Sequence, residues 1–508
     1  MSRIRQRRLL KALIACGLLT GGCEVGPNYR QPHADTPAAF SKAATTQPST
    51  VDPNRSPMVN WWTSFGDAEL NSLVVRALAA NHELKIAQSR VLEARAFERI
   101  AKSKQYPTID LVAAVGRARG SAAGYAFPYG LPGMDDGLYQ LGFDATYEVD
   151  LFGGIRRTIE AAGALAEATE DERRAVQVTL LGEVARNYIG LRTLQRRLAV
   201  ARANLDDQSQ TLEIVTRRFK NGLTTNFDVI RASAQVTATQ STIPPLEAGI
   251  NQTIYGLSIL LGDQPTTLLA ELSAQSPIPI VPPTVPVGMP SELLRRRPDI
   301  RRAERILAAA TAEQGVATSD LFPHLILGGT AGVQSRDTDY LFSQHDPSSG
   351  FYLAGPIANW TIFDGGRRWA NIDRTKARVA AAASAYEESV LSALKDVESS
   401  LTAYSHDQTR RDSLGSLVGQ NQEAVRIAKQ EYSHGLVNLL DVIEVQRNLY
   451  VAQDALAQAD QSVSSDLVSL YKALGGGWES ADTAPPTATR NASTQESGTS
   501  SHPSGEVR

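Results

Sequence analysis

The chain has 508 residues, with 51 Lys plus Arg against 54 Asp plus Glu, and only two cysteines. That balance argues against the basic surface nucleic-acid binding requires, and two cysteines exclude a disulfide-stapled scaffold. At the N-terminus Arg3, Arg5, Arg7, Arg8 and Lys11 surround the start of an apolar run from Leu9 to Leu19, followed by Thr20-Gly21-Gly22-Cys23. Basic region, short apolar core and small residues in that order make an export signal, too short to stay as a membrane anchor. Removal of residues 1–22 leaves a mature chain of formal charge 46 − 54 = −8, with one cysteine and so no internal disulfide.

Cys23 directly after the small residues resembles the lipobox of bacterial lipoproteins, in which the thiol is acylated and the chain is cut before it. A covalent lipid on Cys23 is therefore expected, with no other cofactor. Cys16 has a similar setting, Leu13-Ile14-Ala15, but cutting there leaves half the apolar run attached. Glu24 stands where an inner-membrane retention signal has aspartate, which favours the outer membrane. Residues 23–60 then read as an acylated, extended tether. Residues 479–508, rich in Pro, Ser, Thr and Ala, read as a disordered tail.

The body between them contains one plan twice. Phe219, Gly222, Leu223, Asp228, Val229 and Ile230 recur 213 positions later as Tyr432, Gly435, Leu436, Asp441, Val442 and Ile443. Leu84, Ala87, Ala94 and Pro107 return 216 positions later as Ile300, Ala303, Ala310 and Pro323, and Gly153-Gly154 returns as Gly365-Gly366. The expected units are a first repeat over 61–275, a Pro-rich connector at 276–289 and a second repeat over 290–478.

Each repeat opens with a helix and continues into a pair of strands. In 139–151, Tyr139, Leu141, Phe143, Ala145, Tyr147, Val149 and Leu151 alternate with Gln140, Gly142, Asp144, Thr146, Glu148 and Asp150. That period of two places apolar and aromatic groups on one face and acids on the other. Strands are expected at about 106–118, 138–152, 323–335 and 351–363, the last interrupted by Pro356. Each is long enough to cross a bilayer at a tilt. Four strands cannot close a barrel, and lipid does not tolerate an open sheet edge. Several copies must pool their strands, and two, three or four all satisfy the closure.

Very long helices follow. No proline occurs between Pro132 and Pro244, nor between Pro356 and Pro485, and proline inside a helix costs about 3 kcal/mol. Helices over 155–221 and 367–434 would each span about 100 Å. Val184, Leu191, Leu198, Leu205, Leu212 and Phe219 keep a seven-residue period, the pattern of left-handed coiled-coil packing.

The assembled motifs resemble the outer membrane factors of Gram-negative efflux systems, the TolC-like group and its lipoprotein branch. They are Cys23-Glu-Val-Gly-Pro-Asn-Tyr29, Trp61-Trp62 with Phe65 and Asp67, Pro290-Ser-Glu-Leu-Leu-Arg-Arg-Arg-Pro-Asp-Ile300, Phe363-Asp364-Gly365-Gly366, and Tyr432-x-x-Gly435 before Asp441-Val442-Ile443. The resemblance implies an α+β membrane protein: a homotrimeric twelve-stranded transmembrane β-barrel, four strands per chain, continuous with a periplasmic α-helical barrel. It implies a passive exit duct for small molecules such as drugs or toxic compounds. The implied partners are outer-membrane lipid, a periplasmic adaptor and an inner-membrane resistance-nodulation-division pump. The outer component of an ATP-driven protein secretion system is the alternative within the fold. A lipid-anchored coiled-coil scaffold is the alternative outside it.

In that family the turns farthest from the membrane, here 217–231 and 430–447, form the gate and the docking surface. Gly222, Asn226, Asp228, Gly435 and Asn438 are then docking-turn residues, and Glu444, Asp441, Arg447 and Tyr432 gate candidates. Gly222 and Gly435 read physically as helix C-cap or turn glycines, Asp228 and Asp441 as caps or first-turn acids, and Tyr432 as a packing residue. Val437 departs from relatives that hold an arginine there. Elsewhere the seven histidines show no metal-binding spacing, and neither a P-loop nor a nucleophile elbow occurs. The expectation is a protein that is not an enzyme.

Overall fold

The computed structural model describes residues 24–40, 59–119, 135–279, 290–341 and 349–479. The signal segment, Cys23, most of the Pro-rich connector and nearly all of the tail lie outside these. In chain order come α1 (Ala68–Ala80), α2 (His82–Ser103), β1 (Thr108–Arg119), β2 (Asp135–Val149), α3 (Gly154–Lys220), α4 (Asn226–Gln240) and α5 (Ile243–Leu260). The second half brings α6 (Pro298–Ser319), β3 (His324–Ser335), β4 (Gly350–Asn359), α7 (Arg367–Ser433) and α8 (Leu439–Ala473), with shorter helical turns between.

Both long helices run 67 residues, about 100 Å. Each starts from a glycine in the left-handed region, Gly153 at φ 83° and Gly366 at φ 88°. The structural partner of Gly153 is thus Gly366, one residue beyond the sequence pairing, and the helices keep the 213 offset throughout. β4 ends at Asn359, four residues before its expected end. There the chain leaves the sheet: the Trp360 indole donates to Leu321 O at 3.0 Å, and Asp364 accepts from Gly366 N and from Arg368 Nε.

The strands form one antiparallel sheet in the order β1-β2-β3-β4. Its register rows include Leu111, Phe143, Ala331 and Tyr352 on one face and Asp110, Asp144, Thr330 and Leu353 on the other. The first face is the apolar one read from the sequence. On the second, two aspartates stand directly opposite each other, an arrangement like charges tolerate only in water. One face therefore suits lipid, and the other a wet bore.

Below the sheet, α2, α3, α6 and α7 lie side by side in that order. Further down, the order is α4 and α5, then α3, α8 and α7. α3 and α7 run through both storeys, while shorter helices stack end to end between them. At each stacking joint a cap side chain reaches the helix before it. Asn81 Nδ2 donates to Leu260 O at 2.8 Å, and Arg297 Nη1 to Ala473 O at 3.0 Å. Asn81 and Arg297 are equivalent at the 216 offset. Of the arginine triplet before Pro298, Arg295 and Arg296 end a short helical turn, and Arg297 alone stands at the N-cap of α6.

A shell of short elements packs on one face of the wall at the joint level. Trp61 stacks on Tyr471 at 5.4 Å among Phe40, Leu73, Leu181 and Leu257, and the Tyr188 hydroxyl donates to Asp67 at 2.8 Å. Each such buried side chain contributes about 1.5–3 kcal/mol.

All three storeys are open at the same two edges, β1 with α2 and β4 with α7. The internal repeat shows how copies meet there. Ala164 on α3 packs against Ala308 and Ala309 on α6; the equivalents are Ala377 on α7 and Leu92 on α2, both exposed within one chain. Cysteines at Leu92 and Ala377 together are expected to link neighbouring copies, giving dimer and trimer bands on a non-reducing gel. Either cysteine alone gives none.

Asp466 on α8 lies against Asp407 on α7, and burial first, then the Asp407 charge, pushes Asp466 up to about 6. The native state then holds this proton more tightly than the unfolded chain does. Its stabilising contribution is complete at low pH and is lost as pH rises through about 6. Asp466→Asn is expected to raise the melting temperature at pH 8, to raise it less at pH 4.5, and to leave it nearly unchanged at pH 3.

Candidate gate and docking tips

Both turns at the far end of the helical wall are built alike. At the end of α3, Gly222 N donates to Phe219 O and Leu223 N to Arg218 O, both at 2.9 Å, with Gly222 at φ 72°. At the end of α7, Gly435 N donates to Tyr432 O and Leu436 N to Glu431 O, with Gly435 at φ 77°. Each is a Schellman stop, which a residue with a Cβ would strain. Reciprocal caps restart the chain. Asp228 N donates to Thr225 Oγ1 at 3.3 Å while Thr225 N donates to Asp228 Oδ2; Asn438 and Asp441 repeat the exchange at 3.2 and 3.1 Å. The hydroxyl of Thr224, above all, holds the Asp228 carboxyl below the usual range.

Asn226 is the first residue of α4, and Asn438 is the cap of α8. Asp441, a gate candidate, has its Oδ2 on the Asn438 amide. Glu444 and Arg447 are both exposed and, among the described residues, form no ion pair with each other. Tyr432 is buried with Val215, Ala232, Ala428, Leu439 and Val442, a small core to which all four tip helices contribute. Val437 packs against that core.

The links between the two repeats at the tip escaped sequence reasoning. Arg218 lies 4.9 Å over the Tyr432 ring and donates to Tyr432 O at 3.1 Å. Lys429 pairs with Asp207 at 3.0 Å, and Gln446 Nε2 donates to Thr211 Oγ1 at 3.1 Å. Their partners lie more than 200 positions apart, so no local pattern announces them. Around them the surface is apolar: Leu223, Phe227, Ile230 and Leu436 are each at least 60% exposed.

At the opposite end, the residue after Cys23 is fixed to the wall. Glu24 pairs with the buried Arg157 at 3.3 Å, and Val25 N donates to Phe152 O at 3.2 Å. Gly26 sits in the left-handed region where a Cβ would come within 2.7 Å of Gly315 Cα, and the Tyr29 hydroxyl donates to Glu304 at 2.9 Å. The start of the tether is thus a docked strap, anchored where β2 becomes α3.

A family model described as outer membrane efflux protein matches residues 73–263 and 289–476. The chain belongs to the outer membrane efflux protein family. Nodulation protein T of Rhizobium leguminosarum bv. trifolii is 31% identical over 470 residues, 91% of this chain and 96% of that one. Pyoverdine export outer membrane protein OpmQ of Pseudomonas aeruginosa is 32% identical, over 92% and 97% of the two chains. The outer-membrane channel OprN superposes with a TM-score of 0.83 at 34% identity, over 90% of this chain and all of that one. The open state of the Neisseria gonorrhoeae MtrE channel gives 0.78 at 28%, over 90% and 99%.

The fold is therefore that of a trimeric channel, twelve strands pooled from three copies above a helical barrel. The chain is an outer-membrane efflux duct that reaches into the periplasm. Arg218→Ala removes a stack and a carbonyl bond worth together on the order of 1–2 kcal/mol. In living cells it is expected to loosen the tip and admit a large hydrophilic antibiotic, lowering the inhibitory concentration several-fold. An unchanged value in a correctly assembled trimer counts against the link.

Proposed function

We propose that this duct is the exit stage of a tripartite pump, its tips held by a periplasmic adaptor and its cargo supplied by a resistance-nodulation-division pump. The observation that carries this reading is the matched pair of tips. Two turns with the same backbone stop and reciprocal cap project exposed apolar side chains, which suits docking of a partner's helical surface. The cargo is small molecules, in keeping with a relative that bears a pyoverdine-export name and others that bear solvent- and toluene-efflux names. Transport through such a duct needs no chemistry from the chain.

Cys23 carries the lipid in this reading. Its neighbour Glu24 is held at the strand-to-helix joint, so an acyl chain there starts beside the bilayer. Glu444 faces the axis near the tip, with Arg447 one turn on, and three carboxylates around a narrow bore make closure sensitive to salt and pH. Tyr432 braces the gate through Arg218, and Asp441 serves it through the cap.

Photo-crosslinking in living cells from single probes at Asn226 and at Asn438 tests the docking. Capture of the adaptor of a proton-driven pump from both tips is the expected result. Capture of an ATP-driven secretion component reassigns the cargo class. No capture from a properly inserted trimer removes the adaptor reading.

A further inference from the structure

Where α8 ends and α6 begins, the stacking joint between α3 and α7 leaves a cavity of about 470 Å³. Arg186, Lys395 and Lys472 line it, beside Thr179, Ser399 and Ser469. Arg297 is occupied there by Asp299 at 2.6 Å and Asp396 at 3.2 Å. The other three cations form no ion pair among the described residues. Lys472 is half-buried, and burial, followed by the nearby Arg186 charge, pushes its ammonium down, with Glu183 opposing. Three cations gathered in a recess and only partly offset by Glu183 and Asp396 cost electrostatic energy, which an incoming anion relieves.

The helices place this recess on the inner wall. On α3, Gln177 and Gln195 bond to the shell, through Gly477 O and Leu272 O. Arg186 is nine residues from each, two and a half turns, so it points the opposite way. On α7, Lys395 is likewise nine residues from Tyr386 and from Tyr404, both buried in the shell's core. A shell on the inner face would fill the bore, so the shell is outside and the cations face inward.

The second joint serves as an internal control. There α5 ends against α2 through Asn81, and the positions equivalent to Arg186, Lys395 and Lys472 are Ser399, Gly182 and Ile259. That joint carries no cation at these three positions, Ser399 being supplied by the neighbouring copy's α7, so the repeated architecture does not demand them at the first one.

We propose that this recess is an anion-holding station in the lumen of the duct, three per trimer, which receives the carboxylate or phosphate group of an organic anion in transit. Ala175, Val178, Pro298 and Ala473 give the recess apolar walls for the body of such a molecule, while the hydroxyls and cations hold its charged end. The proposal rests on the duct reading and adds a cargo class to it.

The test is calorimetric titration of the full-length acylated trimer in detergent with phenyl phosphate and, separately, with inorganic phosphate. The variants are Lys395→Gln with Lys472→Gln, and Arg186→Ser with Lys472→Ile, the second pair copying the other joint. Wild type is expected to bind one phenyl phosphate per chain, more tightly than inorganic phosphate. Both variants are expected to lose about tenfold or more, as loss of charge-assisted bonds implies. Equal affinities for the two probes overturn the organic-cargo assignment. No binding to wild type, or undiminished binding to trimeric variants, overturns the station itself. Conductance of the same preparations in planar bilayers reports on the duct reading separately, since its loss in wild type would refute the duct whatever the titrations give.

Discussion

An unpaired peptide edge has no place in a bilayer, and everything else in this molecule is arranged around that constraint. Four strands in sequential order leave β1 and β4 unpaired on their outer sides. The helices below repeat the same opening, with α2 or α5 at one margin and α7 at the other. Three storeys with coincident edges can all be closed by one rotation, so a single symmetry operation satisfies lipid, upper wall and lower wall together. The internal duplication makes this economical. Contacts that α3 makes with α6 inside a chain are available to α7 and α2 between chains.

The second requirement is length. A wall of about 100 Å is built from two unbroken helices and two sets of stacked ones. Stacking exposes a C-terminal carbonyl to an N-terminus that has none of its own partners. Asn81 and Arg297 supply the missing donor at the two joints. The amide does it compactly and also caps α2 at Leu84 N. The longer guanidinium does it while binding two carboxylates, which leaves room beside it, and that room is the lumenal recess.

Much of this was legible in the chain. Missing prolines marked the stretches in which both long helices lie, because a single proline there is prohibitive. Alternation marked the lipid face of β2, since a bilayer sorts side chains as strictly as a core does. Gly222 and Gly435 marked the tips, because only glycine turns a long helix back without strain. The rest depended on contacts that leave no local trace. The Arg218–Tyr432 stack, the Lys429–Asp207 pair and the Glu24–Arg157 strap join segments far apart in sequence. β4 was over-extended for a related reason: Trp360 and Phe363 look like strand residues, and only the Leu321 carbonyl and the Asp364 cap remove them from the sheet.

A passive duct limits how strongly its lumen can bind. Cargo must be held well enough to enter and weakly enough to leave. The recess at the first joint fits that limit. Its three cations are partly offset by Glu183 and Asp396, which pull the Lys472 ammonium back up against burial, Arg186 and Arg297. A fully unopposed cluster would trap anions and stop the flow. One fully paired would be inert wall. The intermediate balance, in a recess beside an open bore, lowers the cost of passing a negative charge through a chain that is acidic overall.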